Sequence, residues 1–346
     1  MIKDFQTYIN EGLFDRNQSE FNIRKTDKGV EQIYIPKTKD ELYKYIRLDI
    51  EQAKKDETYP DVNLNNIDVS ELENDELRGL FSSMNYTINP DISNWNIKKY
   101  IPANFFDSNE QIKEFTIPDS VTSIYFRSFG GCSGLTSVTI PDSVTSIGDY
   151  AFYGCSGLAS VTIPDSVANI GNCAFEGCTG LTFVIIPNSV TSIESYTFQD
   201  CKHLPSVIIP NSVKSIREGA FRNCDGLTSV EIPDNVTHIG DNAFLFCSDL
   251  TSVTISNNVT SIGDGTFYGC SGLTSVIIPS SVTSIGEDAF AKCSSLKSVT
   301  IPNSVTNIGH EAFQGCDGLT SVTISKLCYI KADSFPENCK ITRRND

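Results

Sequence analysis

Ten cysteines set the constraint on this chain. Cys132, Cys155, Cys178, Cys201, Cys224, Cys247, Cys270, Cys293, Cys316 and Cys339 follow one another at steps of 23 residues. The same step relates Leu135, Leu158, Leu181 and their successors to Leu319, with Ile112 opening the series. It relates Phe129, Phe152, Phe175 and onward to Phe313, each three residues ahead of a cysteine. A period in this range means stacked repeats, each too small to hide its own apolar face. Ten units therefore run from Ile112 to Cys339. At about 4.8 Å per strand step they predict a rod of roughly 45–50 Å.

Within the unit 135–157, Leu135, Val138 and Ile140 have the L-x-x-V-x-I spacing of a short strand with Val138 turned inward. Pro141 and Asp142 form a turn, because Pro fixes φ and Asp bonds its own backbone. Val144 and Ile147 start a second extended piece. Ala151-Phe152 reads as a short helical or 3₁₀ turn that drops Phe152 into the core, and Cys155 closes the coil.

This unit resembles the BspA-type leucine-rich repeat of bacterial surface proteins, on the SVTIPDSVTSIGDYAFYGCSGL pattern as it stands here. The resemblance implies a leucine-rich-repeat solenoid, largely β with short turns. It also implies a role in adhesion or protein recognition, and no catalytic residues. The segment 91–106 is similar to the ISNWDV-type repeat of bacterial surface proteins, and the opening MIKDFQTYINEGLFDR resembles the N-termini of tailed-phage proteins.

Outside the array, Thr38-x-x-Glu41 is a capping box ahead of an apolar face at Leu42, Tyr45, Ile46, Ile50 and Ala53, which predicts a helix over 39–55. We expect residues 1–60 to form a helical cap, 61–111 divergent first coils, 112–339 the ten repeats, and 340–346 a tail. Lys340, Arg343 and Arg344 in that tail are expected to blunt the open end.

Charge narrows the partners. The net charge is −16, from 27 Lys+Arg against 43 Asp+Glu. Phosphate binding needs clustered cations, so nucleic acid is excluded as a main partner and an anionic membrane surface is disfavoured. No apolar run reaches the roughly 18 residues of a membrane span, so membrane insertion is not expected. The opening MIKDFQTYINEGLF has acids and amides where a secretion signal needs a cationic start and an apolar stretch, so a secretion signal is not expected there. Cytoplasmic or virion-associated placement is expected from that, and the cell surface by resemblance alone. The oligomeric state is left open.

Chemistry is sparse. There is no C-x₂-C, and His203, His238 and His310 fall at different positions of different units. No metal, cofactor or catalytic constellation is expected. The cysteines read as a ladder of buried reduced thiols, because equivalent side chains on stacked coils point the same way and cannot reach a disulfide dihedral. Cys173 departs from the ladder. It takes the position of Tyr150 and Tyr196, expected on the outside of the coil, as either a reactive thiol or a tolerated surface substitution. An acidic column at Asp149, Asp241, Asp264 and Glu287 reads as either a cation array or a solvated stripe.

The sheet face is more informative. The residues flanking the inward valine point outward and read Ser137/Thr139, Ser160/Thr162, Ser252/Thr254 and so on. Phe183, Ile185 and Ile208 break that rule in two neighbouring coils, Glu231 breaks it in the next, and Ile277 further on. These five are the candidate binding residues. They point to a non-enzymatic module that recognises a protein, glycan or cell-surface ligand. The rival reading is a structural or virion-associated phage protein with the array as spacer.

Overall fold

The computed structural model describes residues 21–26, 29–34, 99–101, 103–110 and 112–344. From Lys99 to Arg344 these form a parallel β-solenoid of about eleven turns, with no helix among the described residues. Three backbone ladders run along it. The first joins three-residue strands such as Ser160–Thr162 and Phe183–Ile185, with Phe183 beside Ser160 and Ile185 beside Thr162. Their pattern is exposed, buried, exposed, as a pleated strand over a core requires. The second joins two-residue strands such as Ser146–Ile147 and Asn169–Ile170 in the same parallel sense.

The third ladder lies where a short helical or 3₁₀ turn was expected. There, alternate N–H groups go to different places. Those of Tyr150, Phe152 and Gly154 donate to Asn172, Ala174 and Glu176 of the next coil at 2.9, 2.8 and 2.7 Å. Those of Ala151, Tyr153 and Cys155 turn back to Gly148, Tyr150 and Phe152. Left-handed backbone at Tyr150 (φ 57) and Gly154 (φ 68) makes this alternation. The turn thereby pairs with its neighbour instead of closing a helix on itself.

The core is a set of columns. Phenylalanine rings stack continuously from Phe106 to Phe335 with centroids 5.0–5.6 Å apart. Beside them each ladder cysteine from Cys132 to Cys316 donates its thiol to the phenylalanine carbonyl one coil back; Cys155 reaches Phe129 and Cys224 reaches Phe198, both at 3.1 Å. This explains why the column is cysteine. The site is small and water-free, yet holds a carbonyl with acceptor capacity to spare. At roughly 2 kcal/mol per buried side chain, the Phe, Cys, Leu, Val and Ile positions give each coil on the order of 10 kcal/mol before chain entropy.

The two ends of the array depart from the ten equal units. One turn more precedes Ile112: Lys99–Ile101 pairs with Val121–Ile124, Phe106 begins the ring stack, and Asn109 is buried where a cysteine would stand. In the last coil Ile330 pairs with Ile308 at a step of 22, and Phe335 stacks on Phe313 at 5.0 Å. One residue more between Phe335 and Cys339 restores the period, leaving Cys339 half-buried. The tail Lys340–Arg344 then pairs with Ser321–Ser325. Arg343 donates to the carbonyls of Cys328 (2.8 Å) and Lys326 (3.2 Å), and Arg344 to that of Ile301.

The helical cap expected over residues 1–60 is not confirmed. The described part of residues 1–60 is an antiparallel β-hairpin of Phe21–Thr26 and Gly29–Tyr34, with Phe21 opposite Tyr34 and Thr26 opposite Gly29. Alternating segments flank Thr26-Asp27-Lys28-Gly29, a turn signal that a search for helical periodicity passes over. The helix expected over 39–55 and the coils expected over 61–98 lie outside the described residues.

Candidate binding face

Parallel stacking sets equivalent side chains about 4.8 Å apart along the sheet face. Phe183 and Ile185 flank the inward Val184 on one strand, and Ile208 occupies the position of Ile185 one coil further. Phe183 is 53% exposed, Ile185 47% and Ile208 79%. Glu231 stands next in the same column, also exposed. Ile277 is 71% exposed but two coils beyond Glu231, so it is separate from the cluster. The fold therefore joins Phe183, Ile185, Ile208 and Glu231 and leaves Ile277 alone.

The ladder breaks beneath this cluster. In neighbouring coils the N–H at the head of the strand donates one coil back, as Thr182 does to Ala159 at 2.9 Å and Thr228 to Pro205 at 3.1 Å. Pro205 has no N–H to give to Thr182. Residues 206–208 form no strand and keep only a bridge from Ser206 to Ser229. Pro205 is the residue that reading the columns for polarity missed.

The acidic column has a structural task. Asp149 accepts from the backbone N–H of Asn172 at 2.8 Å, Asp241 from Asp264 at 2.9 Å, and Asp264 from Glu287 at 2.7 Å. Each carboxylate caps the next coil, so one oxygen is committed to backbone. No group of three metal-ligating side chains fit to hold an ion occurs among the described residues.

Cys173 is not an outward-facing thiol. It is 4% exposed, although it stands outside the core columns. Burial and a hydrogen bond with Glu176 push its pKa up to about 12, against an opposing bond with Tyr150. Left-handed backbone (φ 54) lays the side chain along the surface among its neighbours instead of out into water. The ladder cysteines are deeper. Burial raises Cys178 and Cys270 to about 12 from the ordinary 9.0, so they stay protonated and inert.

The histidines lie apart. His203 Nδ1 is 2.6 Å from the Thr179 carbonyl, His310 is 3.7 Å from Glu311, and His238 heads a two-residue strand. A shallow cleft of about 440 Å³ opens on the turn side, where Gly265 replaces the bulkier residues of the Tyr150 column. Asn242, Tyr268 and Asp288 wall it, and Lys292 places its ammonium 5.0 Å from the Tyr268 ring.

Stacked parallel coils with exposed–buried–exposed strands define a leucine-rich-repeat solenoid. A family model described as BspA type leucine rich repeat region matches in six copies, over residues 99–228 and 214–343. The chain belongs to that family. Among solved structures it is similar to a leucine rich cell surface protein of Faecalibacterium prausnitzii A2-165, at 31% identity over 68% of this chain and 61% of that one, TM-score 0.45. It thus spans less than two thirds of that protein's length. It is also similar to the leucine rich repeat protein TpLRR of T. pallidum (31% identity, 51% of this chain, 78% of that one, TM-score 0.41). A leucine-rich repeat protein of Eubacterium ventriosum aligns over 95% of both chains at 21% identity and TM-score 0.49. No curated protein matches the chain. The stretch that resembles tailed-phage proteins lies outside both the described residues and the matched region.

Proposed function

We propose that this chain is a non-enzymatic binding or adhesion module that recognises a protein or cell-surface ligand through its sheet face. Phe183, Ile185 and Ile208 form the anchor, with Glu231 at its edge and Ile277 as an outlying contact. One observation carries the reading: three adjacent apolar side chains stand in water at positions that other coils give to Ser and Thr. Apolar anchors rimmed by small polar residues are the usual composition of a recognition surface. The F. prausnitzii relative, a leucine rich cell surface protein, is consistent with such a role.

Affinity capture from bacterial envelope and cytosol extracts tests it, with the wild type beside Phe183→Ser/Ile185→Thr/Ile208→Thr. Those changes restore the array's own majority residues, so the coils still stack. A partner held by the wild type and weakened at least about tenfold by the triple variant is expected. Identical capture by both proteins would overturn the assignment of this face and favour the array as a spacer.

A further inference from the structure

The cleft beside Gly265 lies on the turn side of the solenoid, between coils that flank it on both sides. The column of Asp149 and the column of Tyr150 both pass through it, and from there to the coil of Asp333 neither column holds Lys or Arg. Gly265 leaves a gap one side chain deep between Asn242 and Asp288. At Gly219, the same gap is filled by the Tyr196 ring lying across it. At Gly265 only the short Asn242 side chain leans over the glycine, and the cleft stays open. One wall is fixed. The Tyr268 ring meets Phe246 edge-on with centroids 5.3 Å apart, and the Lys292 ammonium lies 5.0 Å from its centre. Leu245 continues that wall. The other wall is carboxylate. One oxygen of Asp264 accepts from the Glu287 N–H at 2.7 Å. Asp288 is half-buried, and among the described residues no group bonds its carboxylate. Burial, then Glu311 and Glu287, push that carboxyl above its ordinary range, with His310 and Lys292 opposing.

We propose that this cleft receives an arginine side chain presented by a protein partner. The cleft measures about 440 Å³ and opens to solvent, so a side chain enters while its backbone stays outside. Leu245 and Tyr268 give an aliphatic stem an apolar wall to lie along. Asp264, Glu287, Asp288 and the Asn242 oxygen surround the gap with acceptors. A guanidinium matches such a set with five donors in a fixed plane, and it sheds water more readily than an ammonium. It also relieves the repulsion that Asp288 bears from Glu287 and Glu311. Three carboxylates of this kind hold no metal ion, since no group of metal-ligating side chains among the described residues has the geometry for one. The chain's net charge of −16 favours the approach of a basic partner. This site is independent of the sheet face around Phe183, and neither assignment rests on the other.

The test titrates the full ¹⁵N-labelled chain with N-acetyl-arginine amide and follows the backbone signals of Gly265 and Asp288 by NMR. N-acetyl-citrulline amide, the neutral isostere, and N-acetyl-lysine amide are compared. For one side chain the expected Kd is on the order of 1 mM. Citrulline should leave the signals unmoved, and lysine should bind about threefold or more weaker than arginine. Asp288→Asn should weaken arginine about fivefold, and Lys292→Met should strengthen it about twofold. Gly265→Tyr fills the cleft and leaves every charge in place. Tyr150 and Tyr196 already hold this left-handed backbone (φ 57 and 58, against 59 at Gly265), so the coil should fold and arginine should no longer bind. Each variant is first checked for unchanged circular dichroism and melting; if Gly265→Tyr fails there, the Asp288→Asn and Lys292→Met pair decides alone. Phe183→Ser/Ile185→Thr/Ile208→Thr should bind arginine as the wild type does. No shift with arginine, equal binding of lysine, or arginine binding retained in folded Gly265→Tyr would overturn the proposal. The last two results would assign the attraction to the acidic columns at large.

Discussion

The inner and outer columns of the same strands differ in how far they vary. Val138, Val161, Val184 and Val230 stay valine, and each is buried between equivalents above and below. Their outward neighbours shift from Ser to Phe and from Thr to Ile or Glu. An inner side chain must fit two neighbours of its own kind, so a change there must suit both adjoining interfaces. An outer one meets water, so its identity is free for another purpose. Repetition within one chain thus separates what holds the fold from what can recognise.

The comparison predicts a ranking of mutational effects. The largest belongs to the ring stack, where Phe198→Ala should cost about 3–5 kcal/mol by opening a cavity between Phe175 and Phe221. Chemical denaturation reads it. Cys224→Ala should cost about 1–3 kcal/mol, because it removes the thiol bonded to the Phe198 carbonyl and leaves a small void. The thiol column also gives a pH dependence. Its cysteines are raised when folded, Cys178 and Cys270 to about 12, against an ordinary 9.0. The unfolded chain releases these protons first as pH rises. Stability is therefore complete below about pH 9 and falls between about 9 and 12. A melting temperature flat across that range, once lysine and tyrosine titration is allowed for, would contradict the buried ladder.

Smaller effects come from the turn side. Gly219 has φ +58 and lies under the Tyr196 ring, so Gly219→Ala meets both strain and a clash. We expect a loss of about 1–2 kcal/mol. Asp264→Ala frees one backbone N–H at Glu287 and should cost about 1 kcal/mol or less, with no change on adding divalent cations.

The inner columns were legible because their chemistry is the same in every coil. Even the inward Phe152 was readable within a turn whose conformation was not. The left-handed column was opaque, since Tyr150, Cys173, Tyr196, Asn242 and Asp288 share a backbone state that no residue type among them demands. Hence Cys173 was expected outside and lies covered. The last coil was misread because its short step and its extra residue cancel by Cys339, and equal cysteine spacing hides both. The apolar positions of the face were readable as departures from the repeat. The interruption under them follows from Pro205, and becomes visible once the ladder donor is traced.

The most direct test sets the two kinds of column against each other in one urea titration. Phe198→Ala and Phe183→Ser/Ile185→Thr/Ile208→Thr are unfolded beside the wild type. The account predicts a loss of about 3–5 kcal/mol for the first and under about 1 kcal/mol for the second. Equal losses would contradict it, because the three apolar side chains would then be holding the fold together and could not be standing free for a partner.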